Sequence, residues 1–458
     1  MKRGYLSQYF DGVAMKRLSR VEVDALSSNQ HEFNGVEGLR DMLGEPEGKV
    51  RYEAKFLYLT DYDDDPIIED GFLTWYDARQ KARLEKGVMR WEYRLYFPTS
   101  QVSQCAAVGD LLVIAKQPDN TLLAIVAEQE TTIAKQIMWL FGFSDLTHPG
   151  FSIREDLETE QDRIEFAFRF ILESIGVVVE TSEETWLDTM LEKFKGKFPS
   201  TREFSTFARS TLKDINPQDG ADDVLMAWLE REEILFRTLE RHFIGDRLAQ
   251  GFDGDVDGFI SFSLSVQNRR KSRVGLALEN HLECLFIGHG VRYSRTAVTE
   301  NKTKPDFLFP GHLEYHDASF NPLKLTMLGV KSTCKDRWRQ VLAEANRIEH
   351  KHLLTLESAI SLNQTNEMQT KSLQLVLPHR LHESYTEVQR AWIMDVSSFI
   401  ELVQERQQHQ AAQRYGKGRA ANESQAKPPN LDKKQNFKTA NGRRVPLTDL
   451  LGIFILRF

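Results

Sequence analysis

The chain has 458 residues, of which 41% are hydrophobic and 10% aromatic, with a formal net charge of −8. That length exceeds one ordinary core and predicts two or three domains, and the apolar content argues for packed cores rather than disorder. No stretch approaches the ~18 unbroken apolar residues of a membrane span. The opening MKRGYLSQYFDGVAMKRLSR lacks the apolar segment of a signal peptide, so a cytoplasmic protein is expected.

The three cysteines, Cys105, Cys284 and Cys334, are scattered and form no Cys-x-x-Cys pair, which excludes a disulfide framework and a zinc ribbon and fits a reducing compartment. The net acidity does not announce a nucleic-acid binder, but the charge is uneven. NRRKSR (268–273) is densely basic, the residues after Glu405 carry a basic excess, and DYDDDPIIED (61–70) is strongly acidic. Each run taken alone reads most simply as a solvated face.

In chain order, the first ~150 residues read as mostly strand. KFLYLT (55–60), GFLTWYDAR (71–79), MRWEYRLYFP (89–98), DLLVIAKQ (110–117) and TLLAIVAEQ (121–129) are short and rich in β-branched or aromatic residues. Pro118-Asp119-Asn120 between the last two predicts a hairpin. Trp91, Tyr93, Leu95 and Phe97 alternate with polar residues, one face for a core and one for solvent. The set suggests a small β-barrel. From about 131 the pattern becomes helical, over 162–176, 185–198 and 221–243, with INPQDGADD (215–223) as a break. Beyond 246, helices and strands mix. A helix over 272–288 is followed by strands near 291–298, 305–309 and 324–333. Next come a helix from Asp336 to about Arg347, strands at 351–357 and 373–379 with a helix between them, and a long helix to about 405. This is the order of a mixed α/β sheet with helices on both faces. The remainder is polar, and only VPLTDLLGIFILRF at its end is apolar.

Asp306, just after Pro305, and Lys331, ending the next apolar strand, occupy the positions of a Pro-Asp…(Asp/Glu)-X-Lys nuclease. Such hydrolysis needs hard oxygen ligands for Mg2+ and a cation near the attacked phosphate. The usual second acid is missing, because Gly329 stands there. Glu344, about two turns into the helix that leaves the lysine strand, is the candidate replacement. Singly, Glu344 also reads as a surface helix residue and Asp306 as a strand-end turn. Lys331 in a buried strand demands a nearby carboxylate.

From KFPSTREF (197–204) to FIELV (399–403) the chain resembles the catalytic domain of the EcoRII restriction endonucleases. The stretches that carry the likeness are SVQNRRKSRVGLALENHLECLFIGHGVRY, KPDFLFPG, LGVKSTCKDRWRQVLAEANRI and LVLPHRLHESY. The resemblance implies a restriction-endonuclease-like α/β domain over 197–405. It implies Asp306 and Glu344 as Mg2+ ligands, Lys331 as the catalytic lysine, and Tyr315 near the scissile phosphate. Lys335, Asp336 and Arg337 would read C·G pairs, since arginine forks onto guanine and a carboxylate accepts from cytosine. Arg339 would lie beside them on the DNA. Arg269, Arg270, Lys271 and Arg273 would clamp phosphates. Glu279 is an accessory metal-ligand candidate or an ordinary helix glutamate. Trp228 and Arg231 are stand-ins for a base pocket that does not align cleanly.

The likeness extends to an all-β DNA-binding pseudobarrel over 1–150, in which Arg79, Arg90 and Arg94 either reach the duplex or are solvated. Residues 151–196 would be a helical linker and 406–458 a flexible basic tail. The implied function is a type II restriction endonuclease. It would cut double-stranded DNA with Mg2+ at a CC-N/W-GG-like site, leave 5′-phosphate and 3′-hydroxyl ends, use no nucleotide cofactor or membrane, and act as a homodimer. A modification-dependent or repair nuclease with the same catalytic half is the nearest alternative. A non-catalytic DNA-binding regulator and a hydrolase built on Cys334 are the others.

Overall fold

The structure is a computed structural model that describes residues 4–23, 31–61, 66–87, 89–146, 149–179, 184–334 and 337–408. The expectations for Lys335, for Asp336 and for most of the tail fall outside these residues. The described residues up to Gln407 form one compact unit.

The N-terminal part is built on eight strands: β1 Gly12–Arg17, β2 Glu32–Asn34, β3 Lys49–Leu59, β4 Ile67–Asp77, β5 Tyr93–Tyr96, β6 Leu111–Lys116, β7 Leu122–Ala127 and β8 Ser152–Arg154. They form one sheet in the order β2-β5-β4-β3-β7-β6-β1-β8. All neighbours are antiparallel except the parallel pair β3 and β7. Among the described residues no ladder joins β2 to β8, so the sheet has two ends. The hairpin of β6 and β7 falls where Pro118-Asp119-Asn120 predicts it, with Lys116 opposite Leu122. β6 is an unbroken apolar run because both its faces are covered. Leu111, Val113 and Ala115 join one core, under the helix Thr132–Leu140. Leu112 and Ile114 join another, with Trp75, Leu73 and Phe33. Tyr93, Leu95 and Phe97 are buried as the alternation requires, whereas Trp91 is exposed, stacked on Tyr93 under the Arg83 guanidinium.

Two long helices follow, Ala221–Gln250 and Val256–Gly288. Both outrun their sequence signal. The Asp255 side chain accepts from the Gly258 amide and starts the second helix well before its apolar stripe begins. Its first turns carry Val256, Phe259, Ile260 and Leu264 exposed, which blurs the periodicity. Further along, Ala277, Leu278, Leu282, Leu285 and Phe286 pack into the core of the second sheet.

That sheet has five strands, β9 Ser294–Arg295, β10 Phe307–Phe309, β11 Thr326–Lys331, β12 Lys351–Thr355 and β13 Leu373–Val376. Their order is β13-β12-β11-β10-β9. The β9–β10–β11 pairings are antiparallel and the β11–β12–β13 pairings are parallel. Helices flank it as the alternation of elements predicts. Two helices are shorter than expected. The one after the lysine strand runs only from Trp338 to Leu342. The long C-terminal helix is split into Glu387–Arg390 and 396–408, because Met394 bridges to Val376 of β13. Asp222 ties the Ala221–Gln250 helix to this end of the chain, accepting from the amides of His379 at 3.0 Å, Val396 at 2.9 Å and Ser397 at 3.0 Å.

Candidate active site

The site lies where β10 begins and β11 ends. Their antiparallel register pairs Phe307 with Leu328, so one step back Asp306 faces Gly329. Asp306 Oδ2 accepts from the Val330 amide at 2.6 Å and from Lys331 Nζ at 3.0 Å. The aspartate is thus held by backbone and lysine together, and both side chains of the pair keep some exposure, 16% for Asp306 and 21% for Lys331. A carboxylate placed this way answers the demand that a half-buried ammonium makes.

Gly329 explains why the second acid is not on the strand. A Cβ there would stand 2.8 Å from Val341 Cγ2 and 3.0 Å from its Cγ1. The helix Trp338–Leu342 packs directly on the bare backbone, and the chain delivers Glu344 three residues after Val341. Glu344 is not within the helix, as its spacing suggested. Its amide donates to the Val341 carbonyl at 3.2 Å, in the turn that ends the helix, and Ala345 next takes a left-handed φ of 48°. Glu344 Oε2 is buried without a hydrogen-bond partner. Burial pushes this carboxyl above its ordinary range; the Lys331 charge opposes that and the Asp306 charge adds to it.

Glu279 reaches the same place from the long helix. Burial raises its carboxyl too, Asp306 contributes to the rise, and Arg295 and Lys331 pull it back. Arg295 Nη2 holds Glu279 Oε2 at 2.7 Å, while its Nη1 lies 2.9 Å from Glu283 and 3.0 Å from Asn280 Oδ1. The sequence reading missed Arg295. Its only signal was an arginine in the short strand that pairs with the Asp306 strand.

A cleft of about 780 Å³ reaches Glu279 and Lys331 of this group and is lined further by Thr333, Arg337 and Lys271. A second cavity of about 590 Å³ shares Lys271, Ser332 and Thr333 with it and continues to Asp61 and Thr132 of the N-terminal part.

The basic run behaves unlike the phosphate clamp expected of it. Arg273 is buried between Glu232, at 3.3 Å, and Glu233, and Arg270 pairs with Glu240 at 2.7 Å. Both bind the two long helices together. Arg269 lies over the Phe198 ring at 4.5 Å. Lys271 is exposed and lines the cleft. Arg337 is also exposed at the cleft, with Nη2 3.4 Å from Thr333 Oγ1. Arg339 turns to Glu367 at 2.8 Å.

Tyr315 is fully buried, and its hydroxyl donates to Glu300 Oε2 at 2.5 Å, so the structure does not present it to the cleft. Trp228 is buried near His281, and Arg231 donates to Thr211 Oγ1 at 2.7 Å; neither lines the cleft. In the N-terminal sheet, Arg79 and Arg94 are both engaged by Glu92, while Arg90 is exposed. Burial pushes the Cys334 thiol far up, and no part of it is exposed, which removes the basis for a cysteine nucleophile.

Among the described residues no three His, Cys, Asp or Glu side chains converge as a group that could by itself hold a metal ion. An open pair of carboxylates is what Mg2+ favours, since it keeps waters and takes substrate phosphate oxygens. The partnerless, buried Glu344 Oε2, charge-coupled to Asp306, fits a hard cation better than it fits any protein donor present.

Comparison with known proteins gives the class, the restriction endonucleases. The family described as EcoRII C terminal matches residues 236–400. Across 407 residues the chain is 32% identical to the type II restriction enzyme EcoRII of Escherichia coli, covering 85% of this chain and 93% of that enzyme. The chain belongs to the EcoRII family of type II restriction enzymes. It is also 28% identical over 109 residues to the type II restriction enzyme SsoII of Shigella sonnei, covering 22% of this chain and 35% of the relative. Among solved structures, metal-depleted Ecl18kI in complex with uncleaved DNA aligns with a TM-score of 0.40 at 20% identity, over 49% of this chain and 84% of that one. The PspGI–substrate DNA complex aligns with a TM-score of 0.39 at 16% identity, over 46% and 93%. Among the described residues no helix is long and apolar enough to cross a membrane.

Proposed function

We propose that this site-specific deoxyribonuclease hydrolyses one phosphodiester per chain at the Asp306–Lys331–Glu344 cluster, with Mg2+ held by Asp306 and Glu344. The observation that carries the reading is the 3.0 Å Asp306–Lys331 pair beside a buried glutamate oxygen that has no partner. The ion would supply Lewis-acid polarisation of a phosphate oxygen and a more acidic water. Lys331 lines the cleft, where its ammonium neutralises charge developing on the phosphate and orients the attacking water. Asp306 fixes that ammonium through the hydrogen bond they share. Glu279, steadied by Arg295, stands close enough to feel both and sets the far wall of the site.

Attack by water in line with the 3′ oxygen leaves a 5′-phosphate and a 3′-hydroxyl. Arg337, with Lys335 and Asp336 beside it in sequence, reads C·G pairs in the major groove of a CC-N/W-GG-like site, and Lys271 contacts phosphate. One such cluster per chain and two strands per duplex call for a homodimer, which a two-fold arrangement supplies. The N-terminal sheet is a second DNA-binding unit.

The test is digestion of a sequenced genome with and without EDTA, followed by sequencing of the cut ends. Cuts at one recurrent C·G-flanked site, lost on chelation, support the reading. Cutting that persists in EDTA, or that follows base modification rather than sequence, overturns it.

A further inference from the structure

We propose that Lys351 is a positioning residue that holds the turn carrying Glu344 in place for the metal site; this rests on the reading of Glu344 as a ligand. Lys351 opens β12 and is only 8% exposed. A buried ammonium is costly unless something compensates it. Here Lys351 Nζ donates to the Leu342 carbonyl at 2.6 Å. That carbonyl belongs to the last residue of the Trp338–Leu342 helix, where backbone acceptors lack intrahelical donors. A cation at a helix C-terminus is favourable. A helix of five residues cannot hold its own shape, so its end is set by what it touches.

Two residues after that carbonyl comes Glu344. The far side of the turn is pinned separately. The Ala345 amide donates to Thr299 Oγ1 at 3.4 Å and the Asn346 amide to Glu300 Oε2 at 3.2 Å. Lys351 therefore governs the near side, where the chain leaves the helix.

The sheet register locates the device. β11 and β12 run parallel, with Leu328 opposite His352 and Lys331 opposite Thr355. Lys351 is thus one step before this ladder, four residues below the level of Lys331, or about 13 Å along the strands. The charges of both lysines act on the Glu344 carboxyl. The carboxylates that face Lys351 are Glu344 and Glu300. Lys331 has its own acceptor in Asp306 and some exposure; Lys351 has a backbone carbonyl and almost none. One is placed to meet substrate, the other to hold a loop.

The experiment uses the full-length chain and Mn2+ as the probe, bound in a calorimeter without DNA, alongside cleavage at rising Mg2+. Lys351→Met, Lys351→Arg and Glu344→Gln are compared. Lys351→Met is expected to weaken Mn2+ binding 10–100-fold and to shift the Mg2+ dependence of cleavage upward by a similar factor. Lys351→Arg, which keeps a cation able to reach the carbonyl, recovers most of both. Mn2+ affinity and Mg2+ dependence unchanged in Lys351→Met, with Glu344→Gln impaired, overturn the role of Lys351 alone. Unchanged Mn2+ binding and cleavage in Glu344→Gln overturn the reading of the site as well. If Lys351→Met does not fold, the arginine variant decides. Metal affinity near wild type supports the positioning role, and affinity as low as that of Glu344→Gln overturns it.

Discussion

Adding one methyl group at Gly329 is expected to damage both stability and cleavage, through the same contact. The new Cβ would meet Val341 at 2.8 and 3.0 Å, whereas carbons pack comfortably at about 3.5–4.0 Å. Val341 is branched at Cβ and sits in a helix, where its side chain has essentially one rotamer, so it cannot swing aside. The helix itself must move outward by several tenths of an ångström, and overpacking of this kind costs about 1–3 kcal/mol. Glu344 follows Val341 by three residues and moves with it. A misplacement approaching 1 Å at a reacting centre costs about 100-fold in rate. Urea unfolding of Gly329→Ala, paired with single-turnover cleavage, checks both effects. Gly329→Ala combined with Val341→Ala should recover part of each, with a coupling of about 0.5–3 kcal/mol in stability. Wild-type cleavage by Gly329→Ala, or two substitutions whose costs simply add, would refute the reasoning.

Lys331→Ala should abolish cleavage while gel-shift binding of a cognate duplex survives; loss of binding would assign the lysine to recognition instead. Arg337→Ala should relax the preference for C·G pairs by about 1–3 kcal/mol per lost bidentate contact, read as competition between cognate and single-substituted sites. An unchanged cleavage pattern would remove it from base reading. Arg273→Met removes one cation from the buried Glu232 and Glu233, which keep His281 and Arg237 beside them, so unfolding free energy should fall by up to about 3–5 kcal/mol. The salt dependence of DNA binding should stay as it was, while Lys271→Ala should reduce that slope by about one. His352 is held down to about 3, by burial first and by the Arg406 charge second. Its folded pKa lies below the ordinary imidazole value of 6.5, so the unfolded chain takes up the extra proton. Stability should therefore fall as pH drops from about 6.5 towards about 3, and His352→Leu should flatten that part of the curve, measured as melting temperature against pH.

The strands most legible in the sequence were those buried on both faces or alternating cleanly, such as β6, β7 and β11. The three-residue β2 and β8 gave too short a period to register. The Asp306–Lys331 pair was legible because strand ends, a proline and a lysine have fixed meanings in sequence. The place of Glu344 was less so. The helix that should have carried Glu344 stops at Leu342, a matter decided by the left-handed backbone at Ala345 and by Lys351, which comes from a different strand. The basic run misled for a physical reason. Four charges within five residues of a helix point in different directions, and Arg270 and Arg273 point at acids on the neighbouring helix. Only the tertiary fold reveals which charges are spent inside.

The bare backbone at Gly329 also bears on how such a site can change over time. A variant that regained an acid at that position would first collide with Val341, and one that lost Val341 alone would gain nothing. The strand-borne and turn-borne placements of the carboxylate are therefore not neighbours in sequence space. Passage between them calls for at least two coordinated replacements, so a lineage that adopts either layout tends to stay with it.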